Sequence, residues 1–272
     1  MVKQYKSRVV DNLLKRKLEG IGAVLIEGPK LCGKTTTAEQ FSKSILYVAN
    51  PQERQQNLKM AEIDPSVLLK GEVPRLLDEW QIAPMLWDAV RFEVDHRGVP
   101  GQFILTGSAL PAEKDKIFHT GTGRIARLKM RTMALYESGE SNGDISLKQL
   151  FEGEKNLSGV NELTLEEIAY LVCRGGWPTA CLQEGDIALD RAFDYYDAIV
   201  NEDITRADGV NRSSERAKLL MRSYARSQGT QTSTDAIRND MVANDTNSID
   251  TKTVQSYIDT LKQIFVIENI PA

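Results

Sequence analysis

At 272 residues, with 41% hydrophobic and 26% charged side chains, the chain has the make-up of an ordinary globular protein, long enough for one large domain or two smaller ones. A formal net charge of -4 excludes a globally basic nucleic-acid binder and confines any DNA contact to a local face. Three cysteines, Cys32, Cys173 and Cys181, are too few and odd in number for a disulfide framework, and no apolar run approaches the roughly 20 residues of a membrane span, so a cytoplasmic protein with no membrane partner is expected.

Val9, Val10, Leu13, Leu14 and Leu18 recur at near-helical spacing among charged residues, which predicts an amphipathic helix ending near Gly20 or Gly22. Ala23-Val24-Leu25-Ile26 follows as a short apolar run suited to a buried parallel strand, and residues 28–35 then sit where that strand turns into a helix reaching about Ser42. Ile45 to Val48 reads as a second strand, followed by a polar stretch rich in Gln and Asn. Arg75-Leu76-Leu77 reads as a third strand, ending in Asp78-Glu79. A helix is expected over Ala83 to His96, a fourth strand over Gln102 to Thr106 and a fifth within Arg124 to Arg131. Strands separated by helices imply an α/β fold, a parallel sheet with helices on both faces.

Beyond about Ser138 the strand signal fades. Helices are expected at Leu163–Cys173 and Ile187–Ile204, then at Ser214–Ser227, Thr234–Ala243 and Thr251–Ile264, with an apolar strand at Phe265-Val266-Ile267. That last run outlines a winged helix-turn-helix whose wing would only be starting at Ala272. The division is therefore a core over residues 1–140, a helical region over 141–211 and a winged helix over 212–272.

The chemistry is concentrated at Gly28, Pro29, Lys30, Leu31, Cys32, Gly33, Lys34 and Thr35, a full match to the phosphate-cradling pattern G-x-x-x-x-G-K-[ST], with Thr36 following on the helix. Its glycines let backbone N–H groups turn inward around the phosphates of ATP, Lys34 reaches the β/γ oxygens and the Thr35 hydroxyl coordinates Mg²⁺. Asp78, at a strand tip, is the carboxylate expected to hold the hydrated metal, and Glu79 the base that polarises the attacking water. Thr106 could orient that water from the next strand. Arg124, in the flexible Gly121-Thr122-Gly123-Arg124, suits an arginine finger acting in cis or in trans. Cys32, beside Lys34 and a helix N-terminus, is expected to have a lowered thiol pKa and to make nucleotide binding sensitive to alkylation. His96 and His119 show no metal spacing.

Together the P-loop, Leu77-Asp78-Glu79-Trp80-Gln81, Phe103 to Ser108, Gly123-Arg124, Arg174-Gly175-Gly176-Trp177-Pro178 and Asn201-Glu202-Asp203-Ile204 resemble a large group of prokaryotic AAA+-like P-loop ATPases that carry a C-terminal domain of unknown function. The resemblance implies an AAA-type core with an extra strand between the P-loop strand and the Asp-Glu strand, a winged-helix portion, and a nuclease-like region that this sequence lacks, as though truncated. The function so implied is Mg²⁺-dependent ATP hydrolysis driving a switch on a partner. That partner is double-stranded DNA, reached through Lys252, Gln255, Ser256 and Lys262 against the opposing Asp250 and Asp259, or a protein; assembly into homo-oligomers stays open. A non-hydrolysing ATP-binding scaffold and a small-molecule kinase are the competing readings.

Overall fold

The structure, a computed structural model, describes residues 5–107, 120–243 and 249–269. Five parallel strands, β1 (Ala23–Glu27), β2 (Ser44–Tyr47), β3 (Arg75–Asp78), β4 (Phe103–Gly107) and β5 (Ile125–Lys129), form one sheet in the order β2-β3-β4-β1-β5. The strand carrying Asp78 is thus separated from the P-loop strand by β4, as the resemblance implies. Helix α1 (Val9–Gly20) precedes β1, and crossovers are made by α2 (Lys34–Phe41), α3 (Arg54–Ile63) and α4 (Met85–Arg97).

Strand alternation explains the layering, because successive side chains point to opposite faces of a sheet. Ala23 and Leu25 of β1, with Leu77, Phe103 and Leu105, face α3, α4 and the paired indoles of Trp80 and Trp87. Val24 and Ile26, with Leu76, Ile104 and Leu128, face Val10, Leu14 and Leu18 of α1 and Ala38 of α2. With helices on both faces, β4 is buried throughout and β1 up to Glu27, hence their unbroken apolar runs. The polar stretch after β2 forms α3 and a 3₁₀ turn at Pro65–Leu69. Its Gln-rich composition masks a helix that buries little beyond Asn57 and Ala61.

The helical part contains α5 (Leu135–Ser138), α6 (Leu147–Phe151), α7 (Leu165–Arg174), α8 (Pro178–Cys181), α9 (Gly185–Ala198), a π-turn at Ile199–Asp203, α10 (Ile204–Arg206), α11 (Ser214–Arg226), α12 (Thr234–Val242) and α13 (Thr251–Gln263). Several starts are written in capping residues. Thr164 and Glu167 form a capping box before α7, and Ser213, Ser233 and Asp250 accept from the backbone N–H of Arg216, Ala236 and Thr253. Helices α11 to α13 close on the π-turn through a separate core containing Ile199, Ile204, Leu220, Ile237, Val254 and Leu261.

The strand expected at Phe265-Val266-Ile267 does not form. Phe265 adopts φ 62°, its N–H donates to Lys262 O (3.0 Å), and the Val266 N–H donates to Leu261 O (2.9 Å). That pair of bonds is a Schellman motif, so the apolar run caps α13 and folds back on the helix; the wing region at 270–272 lies outside the described residues.

Candidate functional site

All five strands run the same way, so their C-terminal ends meet at one edge. The loop after β1, the tip of β3 and the tip of β4 lie there side by side, with Thr106 in register with both Ile26 and Asp78. The loop needs its glycines at two points. A Cβ at Gly28 would sit 2.0 Å from the Met130 carbonyl oxygen, and Gly33 takes φ 101° at the entry to α2. Leu31 shares the left-handed region (φ 62°), so consecutive N–H groups can turn to the concave side as an anion cradle.

Lys34 is buried, and its ammonium donates to the carbonyls of Gly28 (3.0 Å) and Pro29 (2.8 Å), curled back on its own loop. Burial pushes its pKa below the ordinary lysine value, and the acidic Glu79 and Asp78 oppose that shift. The Thr35 hydroxyl donates to Asp78 Oδ1 at 2.7 Å, and the Thr106 hydroxyl donates to the same oxygen at 2.6 Å. The Thr35 hydroxyl and the Asp78 carboxylate are hard oxygen ligands at the mouth of a phosphate cradle, a donor pair that fits Mg²⁺. Glu79 follows in a left-handed conformation (φ 57°, ψ 43°), uncommon for a residue with a side chain, and lines the adjoining cavity with Lys34, Thr35 and Thr36.

That cavity encloses about 560 Å³, within the range for small-molecule sites. Its far wall is Tyr5, Lys6, Leu31, Met133, Pro178 and Leu182, contributed by the N-terminal segment, the loop and the helical region. Tyr5 is fixed by its hydroxyl, which donates to Asp11 (2.7 Å) and meets Thr37 Oγ1 at 3.0 Å. Arg8, only 7% exposed, holds the loop from behind, donating to Cys32 O (2.9 Å), Arg131 O (2.9 Å) and the Glu137 carboxylate (3.0 Å).

Two contacts tie the loop to the helical region. Lys30 turns away from the cradle and pairs with Asp203 of the π-turn, while Trp177 Nε1 donates to Lys30 O (3.3 Å) with its ring 4.3 Å from that of Tyr195. Nothing in the residue types predicts roles for Tyr5, Arg8 or Asp203, because each reaches the loop only through tertiary packing; Trp177, Pro178 and Asp203 stand out solely in the resemblance.

Two expectations change. Arg124 opens β5 at the opposite edge of the sheet, its carbonyl accepting from Ala23 N–H (3.1 Å) and its guanidinium donating to Asp95 (2.7 Å). A five-residue strand, roughly 16 Å at about 3.3 Å per residue, separates it from the cradle of its own chain, which removes a finger in cis. Cys32 is fully buried, with Sγ 3.7 Å from Met130 O, and burial pushes its thiol pKa up, outweighing Lys34 and Arg8. Ser108 and His119 lie outside the described residues.

Residues 21–138 match a family described as AAA domain, and residues 165–272 match a domain of unknown function (DUF8612). An uncharacterised protein of Mycobacterium tuberculosis and one of Mycobacterium bovis are each 28% identical over 132 residues, covering 48% of this chain and 30% of their own length. The match thus spans less than a third of those relatives. The Walker-type ATPase of Pyrococcus abyssi shares the fold, with TM-score 0.56 and 16% identity over 97% of this chain and 91% of that one.

The burial of Cys32 has a direct readout. In the folded protein an alkylating reagent should modify exposed Cys173 first and reach Cys32 only on unfolding. Peptide mass mapping that found the two equally reactive without denaturant would contradict it.

Proposed function

We propose that this protein, which belongs to the prokaryotic AAA+-like P-loop ATPases with a separate C-terminal domain of unknown function, binds ATP with Mg²⁺ and hydrolyses it to move its helical region. The observation that carries this reading is the chain from the Thr35 hydroxyl through Asp78 Oδ1 to the Thr106 hydroxyl, set at the mouth of the P-loop with Glu79 beside it.

The backbone N–H groups of residues 28–35 and Lys34 hold the β- and γ-phosphates, Lys34 exchanging its two loop carbonyls for phosphate oxygens. Thr35 and Asp78 would hold Mg²⁺, which would supply charge neutralisation to the phosphates. Thr106 orients a water, and Glu79 takes its proton as the water oxygen attacks the γ-phosphorus and the bond to the β–γ bridging oxygen breaks, releasing ADP and phosphate. The far wall of the cavity, with Tyr5, Leu31, Pro178 and Leu182, has the apolar character suited to the base.

Magnitudes separate the fixed contacts from the movable one. Arg8 is buried and triply bonded, and breaking such a pair costs about 3–5 kcal/mol, so it anchors the loop. The Lys30 side chain is 48% exposed against 10% for Asp203, and a pair open to solvent on one side is worth about 0–1 kcal/mol. Phosphate entering the cradle can therefore draw Lys30 away from Asp203 at small cost, releasing the π-turn on which α11 to α13 pack. π-turns of this kind recur at functional sites.

The output surface is the three-helix unit. Gln255 accepts from Thr234 (2.8 Å) and donates to Asp259 (2.8 Å), and Ser256 accepts from Arg212 (3.0 Å). Of the four candidate DNA-reading side chains these two are already engaged, Lys252 is exposed and Lys262 half-buried, which leaves a thin basic face for DNA and weights the reading towards a protein partner. Arg124 enters only as a finger offered to a neighbouring copy.

Phosphate release from Mg-ATP tests the core of this reading. Lys34→Ala should abolish nucleotide binding, and Glu79→Gln should still bind ATP but turn over about 10²–10⁴ times more slowly; a Glu79→Gln rate equal to wild type would remove Glu79 as the base. Turnover raised by duplex DNA would restore DNA as the partner. Asp203→Asn should tighten ATP binding by up to about 5-fold, the most that a pair worth about 0–1 kcal/mol can return, and should erase the ATP dependence of amide exchange across residues 199–206. Unchanged affinity together with unchanged exchange would disprove the Lys30 link. Mixing Arg124→Ala with Lys34→Ala protein should recover activity if the finger acts in trans, and a mixture as inactive as its parts would dismiss it.

A further inference from the structure

The turn that follows β3 does more than end a strand. Glu79 takes its left-handed conformation, and residues Trp80–Ile82 then form a single 3₁₀ turn, closed by Ile82 N–H to Glu79 O (3.1 Å) and Ala83 N–H to Trp80 O (3.0 Å). This reversal brings the side chain of the residue two positions on back over Glu79, and Gln81 Nε2 donates to Glu79 Oε2. The Gln81 amide is seated against the end of β4: a Cβ at Gly107 would lie 2.7 Å from Gln81 Oε1 and 3.2 Å from Trp80 Nε1. Glycine there is what lets the amide approach the strand that carries Thr106.

The hydrogen-bond pattern is lopsided. Gln81 Oε1 is buried and has no partner among the described residues, while its N–H is directed at a carboxylate. A glutamine placed only to fill space would be expected to satisfy both ends of its amide. Here the geometry satisfies the donor and leaves the acceptor, which identifies the Glu79 carboxylate as the feature that sets the side chain's position.

We infer that Gln81 is a positioning residue for Glu79: its amide N–H holds Oε2, so that Oε1 is the oxygen left to take the proton from the attacking water. The inference rests on the reading of Glu79 as the base. It accounts for the strained backbone at Glu79, since a left-handed residue followed by a 3₁₀ turn is what returns a side chain two residues later onto the one it must orient. It also gives Gly107 a reason independent of strand pairing. Gln81 touches neither phosphate nor metal in this scheme, and it should therefore affect turnover without affecting ATP binding.

The test is a kinetic cycle on the full chain with Gln81→Met, which keeps the side chain's length and removes the donor. Expected are a kcat lower by roughly 10- to 10²-fold, the scale of a misplaced reacting group, with the KM for ATP and the directly measured ATP affinity unchanged. In a Glu79→Gln background, adding Gln81→Met should produce no further loss, because a residue acting through Glu79 has nothing left to orient. A Gln81→Met enzyme at or above the wild-type kcat, or losses that multiply in the double variant, would overturn the inference while leaving Glu79 as the base. A Glu79→Gln enzyme at the wild-type rate would instead overturn both. Restoration of most of the lost rate by Gln81→His, whose ring N–H can replace the amide donor, would separate positioning from loss of packing; a histidine variant as slow as methionine would count against a role for the donor.

Discussion

The carboxylate of Asp78 is the point on which the site is assembled. One of its oxygens accepts hydroxyl bonds from two directions, from Thr35 at the start of α2 and from Thr106 at the end of β4, at 2.7 and 2.6 Å. Hydrogen bonds to a charged group contribute about 1.5–3 kcal/mol each, enough to matter against the few kcal/mol by which a domain is stable. Parallel register makes the convergence possible, since Asp78 is directly opposite Thr106, and Thr106 opposite Ile26, two residues before the loop. A one-residue slip in β4 would turn Thr106 to the other face and replace a hydroxyl with the bare hydrogen of Gly107 or the side chain of Leu105.

Around that centre the P-loop is held by parts of the chain far apart in sequence. Arg8 comes from the segment before the sheet, Met130 from the residue after β5, Trp177 and Asp203 from the helical part. The cradle is consequently a junction, and the cavity beside it is lined by the N-terminal segment and α8 as well as by the loop. A helical region seated this way is in direct contact with the loop through Trp177 and Asp203.

The parts of this arrangement that are legible in sequence are those encoded locally. Apolar runs of strand length, the glycine spacing of the loop and the Asp-Glu pair at a strand end each carry their meaning within a few residues, and the five strands and their order of appearance follow from them. The register that brings Thr106 against Asp78 is consistent with those signals, although it is settled only by pairing. What escaped is encoded at a distance or against composition. α3 hides in a Gln-rich stretch because few of its residues meet the core, and the Phe265 run looks like a strand because a Schellman cap also favours apolar residues after a helix. Cys32 misleads for a related reason. Its neighbours in sequence are those that acidify a thiol, but the sheet buries it, and burial shifts the pKa the other way.

Arg124 shows how topology constrains chemistry. In a parallel sheet every strand start lies at the edge remote from the phosphate loop, so no residue opening β5 can serve its own cradle, whatever its side chain. Its ion pair with Asp95 at the end of α4 belongs to that remote edge. A guanidinium there meets a γ-phosphate only if the remote edge of one molecule abuts the cradle edge of another, which is head-to-tail contact. Such contacts are heterologous and close into rings or extend as filaments, depending on the rotation between neighbours. The question of whether Arg124 has a catalytic role is therefore the same as the question of whether these molecules stack, and an ATPase rate independent of protein concentration would answer both in the negative.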